Sequence, residues 1–167
     1  KIKHKWRKYF SMKILFIEDD DDKRTKIKSF LLEEFYNIDI IDKSSYHSAL
    51  LELVSGNMYD FVLMDMSMPN FDKTINDPEG GSPESFAGRN LLQQMNFRNI
   101  TFPTIVITQF DSFGQVDKLS LNELKEELMK KFSPTYIDTV YYHSSESNWK
   151  QIIKSLIQNY SKGANND

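Results

Sequence analysis

The sequence predicts an α/β domain, a doubly wound three-layer sandwich of five βα units around a parallel sheet. Short apolar runs of strand length alternate with longer stretches whose apolar residues recur every three to four positions. This alternation is the pattern of βα units. Several runs are apolar at every position, as expected for strands buried on both faces of a sheet. Right-handed crossovers then place helices on both faces.

The strands are predicted from the apolar runs and the helices from their three-to-four-residue period. Ser44 or Ser45 caps the second helix, which ends before Gly56-Asn57. The predicted strands cover residues 12–17, 38–41, 59–64, 104–108 and 136–142. The predicted helices cover residues 22–36, 44/45–54, 89–97, 115–132 and 147–160, and the last presents Trp149 to the core.

Residues 70–88 interrupt the alternation of strands and helices. They contain two prolines, three glycines and scattered acidic residues, so they are predicted to form an irregular inserted loop. Loops of this length are uncommon in compact domains unless they have a function. A lid or partner-binding element and an insertion without a role are equally compatible with the sequence.

Length and composition favour one domain. A chain of 167 residues buries a substantial core in a single unit, which we expect to span 12–161 between an N-terminal extension (1–11) and a short tail (162–167). No apolar stretch approaches the roughly 18 residues needed to cross a bilayer, so no membrane-spanning segment is predicted, and no membrane partner is expected for the main domain. The absence of cysteine excludes disulfides and fits a cytoplasmic location.

Charge is distributed unevenly along the chain. Residues 1–11 contain five Lys/Arg and no acid, which leaves 16 Lys/Arg against 24 Asp/Glu, or −8, for the rest. An acidic body argues against nucleic-acid binding by the main domain. The basic, aromatic extension could contact acidic lipid or nucleic acid, but a solvated tail or short packed extension is the simpler interpretation.

Acidic residues follow two of the predicted strands. Glu18 and Asp19 end the first strand, and Asp65 ends the third. If these strands are parallel neighbours, the carboxylates meet beyond the C-terminal edge of the sheet, where α/β proteins bind ligands. Such negative charge needs a cation, and Mg²⁺ prefers oxygen ligands. The alternative is that Asp65 and Glu18 cap loops or neighbouring helices. The run 20–22 is different and is expected to be a solvated face that interacts with the helix dipole.

Three motifs occur in a characteristic order. Ile-Leu-Phe-Ile-Glu-Asp-Asp covers 14–20, Asp-Met-Ser-Met-Pro covers 65–69, and Thr108 ends the fourth strand. Over about 12–160, the chain resembles the receiver domain of bacterial response regulators, the flavodoxin-like phosphoacceptor module of two-component signalling. This resemblance implies a parallel sheet of order 2-1-3-4-5.

The resemblance also implies roles for individual residues. Asp65 is expected to be the phosphoacceptor and Thr108 the switch residue that hydrogen-bonds the phosphoryl group. Mg²⁺ is expected to bind Asp19, Asp65 and the carbonyl of Ser67 directly and Glu18 through water. Apart from self-phosphorylation and dephosphorylation at Asp65, no enzymatic activity is implied. A phosphatase of the haloacid-dehalogenase type would need a second aspartate where Ser67 stands.

The resemblance implies protein partners. The phosphoryl donor would be a sensor histidine kinase or a phosphotransfer protein. An effector or a second copy of the chain would bind through the last two helices and the fifth strand, where Tyr141 and Tyr142 are expected to be exposed. Seven residues follow Tyr160, so we expect a stand-alone receiver or one cut from a larger protein.

The chain departs from the receiver pattern at three positions. Receivers carry a lysine after the fifth strand, whereas residues 140–145 contain none and Tyr142 or His143 stands there. Gly88, the counterpart of a glycine that normally follows Met-Pro closely, comes only after the long loop, and Gln109 replaces a small residue. His143 can donate a hydrogen bond when protonated. The alternative is a degenerate receiver that acts as a phosphorylation-independent interaction module.

Overall fold

The computed structural model describes residues 11–114 and 118–163. The basic extension up to residue 10 and the last four residues of the predicted tail lie outside this part of the chain. The main strands are β1 (Met12–Ile17), β2 (Ile38–Lys43), β3 (Phe61–Met64), β4 (Thr104–Thr108) and β5 (Tyr136–Tyr141). The helices are α1 (Asp21–Glu34), α2 (Tyr46–Leu53), α3 (Ala87–Phe97), α4 (Leu121–Phe132) and α5 (Asn148–Gly163).

The five main strands form a parallel sheet of order β2-β1-β3-β4-β5, which confirms the predicted fold and strand order. Side chains of β1 alternate between its two faces. Ile14 and Phe16 pack against α1 and α5, while Leu15 and Ile17 pack against α2, α3 and α4. Each of these buried side chains contributes about 1.5–3 kcal/mol to folding. The result is the expected three-layer sandwich, and its described helices include none long and apolar enough to cross a membrane.

The register of the central strands positions the functional edge of the sheet. Ile17 pairs with Met64, and Met64 pairs with Val106. The ladder continues one step further, because the N–H of Asp65 donates to the carbonyl of Ile17 at 2.9 Å. The segments that follow β1 and β3 therefore leave the sheet side by side.

Helix α4 begins six residues later than the predicted start at residue 115. Residues 115–117 lie outside the described part of the chain, and Leu119–Ser120 pairs antiparallel with Ser112–Phe113. The Ser120 hydroxyl accepts the N–H of Glu123, and the Glu123 carboxylate accepts the N–H of Ser120. This capping box fixes the helix start, a signal that the apolar period does not contain. The other element ends agree with the prediction or differ by one to three residues.

The predicted loop region contains a short closure. Met68–Pro69 pairs antiparallel with Pro83–Glu84, and residues 70–82 form the loop beyond this pair. Within the loop, Phe71 N–H donates to the Gly80 carbonyl at 3.0 Å. Gly80 has a positive φ of 71°, and a Cβ there would lie 2.1 Å from the Phe71 carbonyl oxygen. Glycine is therefore required at position 80, where the two sides of the loop pass close to each other.

Gly88 allows α3 to lie directly against the end of β3. Its N–H donates to the Met66 carbonyl at 2.9 Å. A Cβ at Gly88 would lie 2.6 Å from the backbone oxygen of Asp65 and 3.1 Å from the Cα of Met66. The start of α3 is thus held against the backbone that carries the Asp65 side chain.

Substitution of Gly88 by alanine tests this close approach. Helix propensity alone would favour alanine by about 0.8–1 kcal/mol. We expect the opposite sign, a loss of about 1–3 kcal/mol in the free energy of unfolding, because backbone atoms must move to accept the methyl group. Urea denaturation of Gly88→Ala measures this change. Asn90→Ala, at an exposed site of the same helix, is the matched control, and equal or greater stability of Gly88→Ala would contradict the prediction.

Candidate functional site

Three carboxylates meet at the C-terminal edge of the sheet. Glu18 and Asp19 directly follow β1, and Asp65 directly follows β3. One carboxylate oxygen from each residue lies within 4.8 Å of the other two. Glu18 and Asp65 are buried and Asp19 is half-buried. The structure therefore brings together the three acidic side chains that the sequence singles out.

The surroundings of Glu18 and Asp19 disfavour the charged forms of these two carboxyl groups. Burial raises the pKa of Glu18 to about 7; Lys23 opposes this shift and the Asp65 carboxylate adds to it. Burial and the Asp65 carboxylate also raise the pKa of Asp19, against an opposing effect of Lys73. Burial thus makes the charged forms of Glu18 and Asp19 costly, and a bound cation would lower that cost.

A buried lysine from α1 reaches into the carboxylate cluster. The Nζ of Lys23 lies 2.6 Å from Oε2 of Glu18 and 3.0 Å from Oδ2 of Asp65. It also donates a hydrogen bond of 2.8 Å to the carbonyl of Ile107 in β4. Burial by itself lowers the pKa of Lys23, but the carboxylates of Asp65 and Glu18 outweigh burial and raise it. Lys23 is therefore an ammonium ion inside the site.

The sequence analysis did not identify Lys23. The residue lies in the first turn of α1, directly after a run of acidic residues, where a solvated face is the usual interpretation. Asp20 caps the helix by accepting the N–H of Lys23 at 2.9 Å, and Asp21 and Asp22 are exposed. The available signal is the helical phase, because Lys23 stands one turn before the buried Ile27. Lysine is almost never fully buried unless it is paired.

The predicted switch residue lies at the end of β4. Thr108 is fully buried. Its Oγ1 accepts the N–H of Phe110 at 3.2 Å, and its carbonyl accepts the N–H of Tyr142 at 2.8 Å. The residue before it, Ile107, supplies the carbonyl that binds Lys23. Ser67 is half-buried in the segment after β3, two residues beyond Asp65.

The end of β5 differs from expectation. Tyr142 is 3% exposed, so its predicted exposure is wrong, whereas Tyr141 is 40% exposed. The Tyr142 ring packs on the buried Trp149 with ring centroids 5.2 Å apart, because alternation along β5 turns Tyr142 inward. His143 is exposed, and its Nδ1 lies 2.9 Å from the Ser145 hydroxyl. Trp149 packs in the core as predicted.

The loop 70–82 extends to the site from the side of α2. Lys73 Nζ lies 3.8 Å from Oδ2 of Asp19. Asp72 Oδ1 accepts the hydroxyls of Ser44 at 3.0 Å and Ser48 at 2.8 Å. Partial burial raises the pKa of Asp72, but serine hydroxyls near the start of α2 outweigh this effect and lower it. The loop is thereby attached to α2 next to the carboxylate cluster.

Comparison with solved structures defines the class of the protein. The receiver domain of the Francisella response regulator 1452 superposes with a TM-score of 0.59 at 25% identity, covering 90% of this chain and 99% of that chain. The fold is that of a receiver domain. Receiver domains of response regulators are regulatory modules that work with kinases and effectors.

Sequence comparison gives the family. The Detocs response regulatory protein DtcB of Enterobacter cloacae is 30% identical over 149 residues, which are 88% of this chain and 99% of that protein. The protein y4jR of Sinorhizobium fredii is 28% identical over 145 residues, 86% of this chain and 95% of its own length. No protein-family model matches the chain. The chain belongs to the response regulator family, as the resemblance in its motifs implies.

Replacement of Asp72 tests the attachment of the loop. In Asp72→Ala, the hydroxyls of Ser44 and Ser48 lose their common acceptor, and each such hydrogen bond contributes about 0.5–1.5 kcal/mol. We expect amide hydrogen exchange in residues 70–80 to accelerate by about fivefold or more, with exchange in β1 and β3 unchanged. The control is Glu79→Ala, at another exposed carboxylate of the loop. Equal exchange in both variants would contradict this role of Asp72.

Proposed function

We propose that this chain is a phosphoacceptor switch of two-component (phosphorelay) signalling, in which Asp65 receives a phosphoryl group in the presence of Mg²⁺. The observation that carries the proposal is the convergence of Glu18, Asp19 and Asp65 within 4.8 Å at the edge of the sheet. The membership of the chain in the response regulator family agrees with it. The proposed role is regulatory, with no enzymatic activity beyond self-phosphorylation and dephosphorylation at Asp65.

The donor set fits Mg²⁺, which takes oxygen ligands and often combines one or two carboxylates with water and phosphate oxygens. Asp19 and Asp65 would bind the ion directly, together with the Ser67 carbonyl, and Glu18 would bind it through water. Lys23 contributes one positive charge beside Glu18 and Asp65. Three carboxylates against one buried ammonium leave negative charge for a divalent cation to neutralise.

Phosphoryl transfer to Asp65 is a substitution at phosphorus. A carboxylate oxygen of Asp65 forms the new bond to phosphorus while the bond from phosphorus to the donor breaks, and its electron pair leaves with the donor. When bound, Mg²⁺ would neutralise negative charge on the oxygens of the transferring group. Asp65 is oriented for this role by the N–H of Met66, which donates to its Oδ1 at 2.6 Å.

Thr108 would pass the change at Asp65 to the surface. Its hydroxyl now accepts the N–H of Phe110, so a new hydrogen bond to a phosphoryl oxygen would rearrange the segment after β4. That segment adjoins the end of β5, since Thr108 also accepts the N–H of Tyr142. The proposed output is binding of an effector or a second copy through the last two helices and β5, where Tyr141 is exposed.

The proposed phosphoryl donor is a sensor histidine kinase or a phosphotransfer protein. DtcB, which matches this chain over 99% of its own length, is described as a Detocs response regulatory protein. We infer a corresponding regulatory role for this chain, with no nucleic-acid or membrane binding by the domain. The acidic composition of residues 12–167 supports this restriction to protein partners.

A second candidate function is a phosphorylation-independent interaction module. The observation in its favour is the ion pairing of Lys23 with Glu18 and Asp65, which already neutralises part of the site. In that case the receiver fold would present a fixed surface to its partner. The phosphorylation experiment below separates the two candidates.

Titration with Mg²⁺ tests the metal site. Because a ligand that binds the folded state stabilises it, we expect millimolar Mg²⁺ to raise the melting temperature of the wild type. Asp19→Asn should weaken binding by about tenfold or more, in the range found when partners of a metal site are removed. Asp39→Asn, at an exposed carboxylate on β2, should bind like the wild type. Absence of Mg²⁺ binding at millimolar concentration would contradict the proposed site.

Incubation with acetyl phosphate tests the phosphoacceptor. We expect intact-mass measurement to show one added phosphoryl group in the presence of Mg²⁺. The addition should disappear in Asp65→Asn and after chelation of the metal. An unmodified wild type under these conditions would instead support the phosphorylation-independent module.

A further inference from the structure

We propose that Lys23, from the first turn of α1, contacts the phosphoryl group on Asp65 and replaces the lysine that receiver domains carry after β5. This inference rests on the proposed function, because it concerns the same phosphorylated Asp65. In this chain the positive charge would come from a helix on one face of the sheet instead of from the segment after β5.

The contacts of Lys23 fix its ammonium group in the site. An ammonium has three N–H donors, and Lys23 Nζ has three oxygen neighbours, on Glu18 at 2.6 Å, Ile107 at 2.8 Å and Asp65 at 3.0 Å. The side chain is 1% exposed. Since a buried charge is costly unless it is paired, this arrangement indicates a cation that the fold holds in place. One of its three partners is the proposed phosphoacceptor itself.

The end of β5 supplies no competing ammonium. Residues 140–145 contain no lysine, and the buried Tyr142 lies there with its ring centroid 5.9 Å from Lys23 Nζ. The Tyr142 ring also packs against Trp149 of α5. The Tyr142 ring thus lies beside Lys23, at the place after β5 where receiver domains carry their lysine, while the ammonium group comes from α1.

Phosphorylation gives Lys23 a defined new acceptor. When an oxygen of Asp65 becomes bonded to phosphorus, the carboxylate charge is lost and the negative charge moves to the phosphoryl oxygens. The ammonium can follow this charge by changing rotamers of its four-carbon stem, while Glu18 remains a partner. A charge-assisted hydrogen bond of this kind stabilises both the transferring group and the product.

Lys23→Met tests the inference, because methionine has a similar length and no charge. Lys26→Met, at an exposed position of the same helix, is the matched control. With acetyl phosphate and Mg²⁺, we expect Lys23→Met to gain the phosphoryl group at least about tenfold more slowly than the wild type. Mg²⁺ should bind Lys23→Met at least as tightly as the wild type, because the ammonium no longer competes for Glu18 and Asp65. A purely structural role predicts weaker binding of Mg²⁺ together with slower phosphorylation.

The outcomes distinguish this inference from the proposed function. If Lys23→Met is phosphorylated as fast as Lys26→Met while Asp65→Asn is not, Asp65 remains the phosphoacceptor and the role of Lys23 is overturned. If the wild type gains no phosphoryl group, both are overturned. A second measurement needs no variant at Lys23: the side-chain nitrogen NMR signal of Lys23 should shift when the wild type is phosphorylated. An unchanged signal would overturn the inference.

Discussion

The ion cluster at the end of the sheet is the constraint on which the rest of the site depends. Two buried carboxylates, Glu18 and Asp65, share one buried ammonium. Removing one partner of a buried ion pair commonly costs about 3–5 kcal/mol, because the remaining charge is left uncompensated. The cluster also joins β1, β3, β4 and α1 at one point, since Lys23 binds the Ile107 carbonyl as well. A change of charge at Asp65 therefore acts on contacts that involve all four elements.

The central strands could be predicted closely from the sequence, and the start of α4 could not. β1 and β4 have the predicted bounds because strands buried on both faces read as uninterrupted apolar runs. At α4, the apolar period continues upstream of the true helix start. The helix begins only after Ser120, because Ser120 and Glu123 form the capping box there. Periodicity records which residues face the core, and it does not record which backbone groups are capped.

The acidic part of the site was predictable and its cationic part was not. Parallel strands end at the same edge of a sheet, so Glu18, Asp19 and Asp65 follow from strand order alone. The position of Lys23 depends on the rotation of α1 about its own axis. This rotation turns Lys23 toward the site, whereas most neighbouring charged residues of the helix are exposed. The inward direction of Tyr142 depends likewise on how β5 alternates at the edge of the sheet.

The short pairing of Met68–Pro69 with Pro83–Glu84 separates the inserted loop from the architecture that surrounds Asp65. Gly88 still meets the Asp65 backbone, although the loop intervenes between them in sequence. Lengthening a loop whose ends are already joined costs little, about 0.6 kcal/mol for each doubling. The stretch beyond this closure can consequently change in length at little cost in folding free energy, provided that Lys73 stays beside Asp19 and Gly80 stays opposite the Phe71 carbonyl.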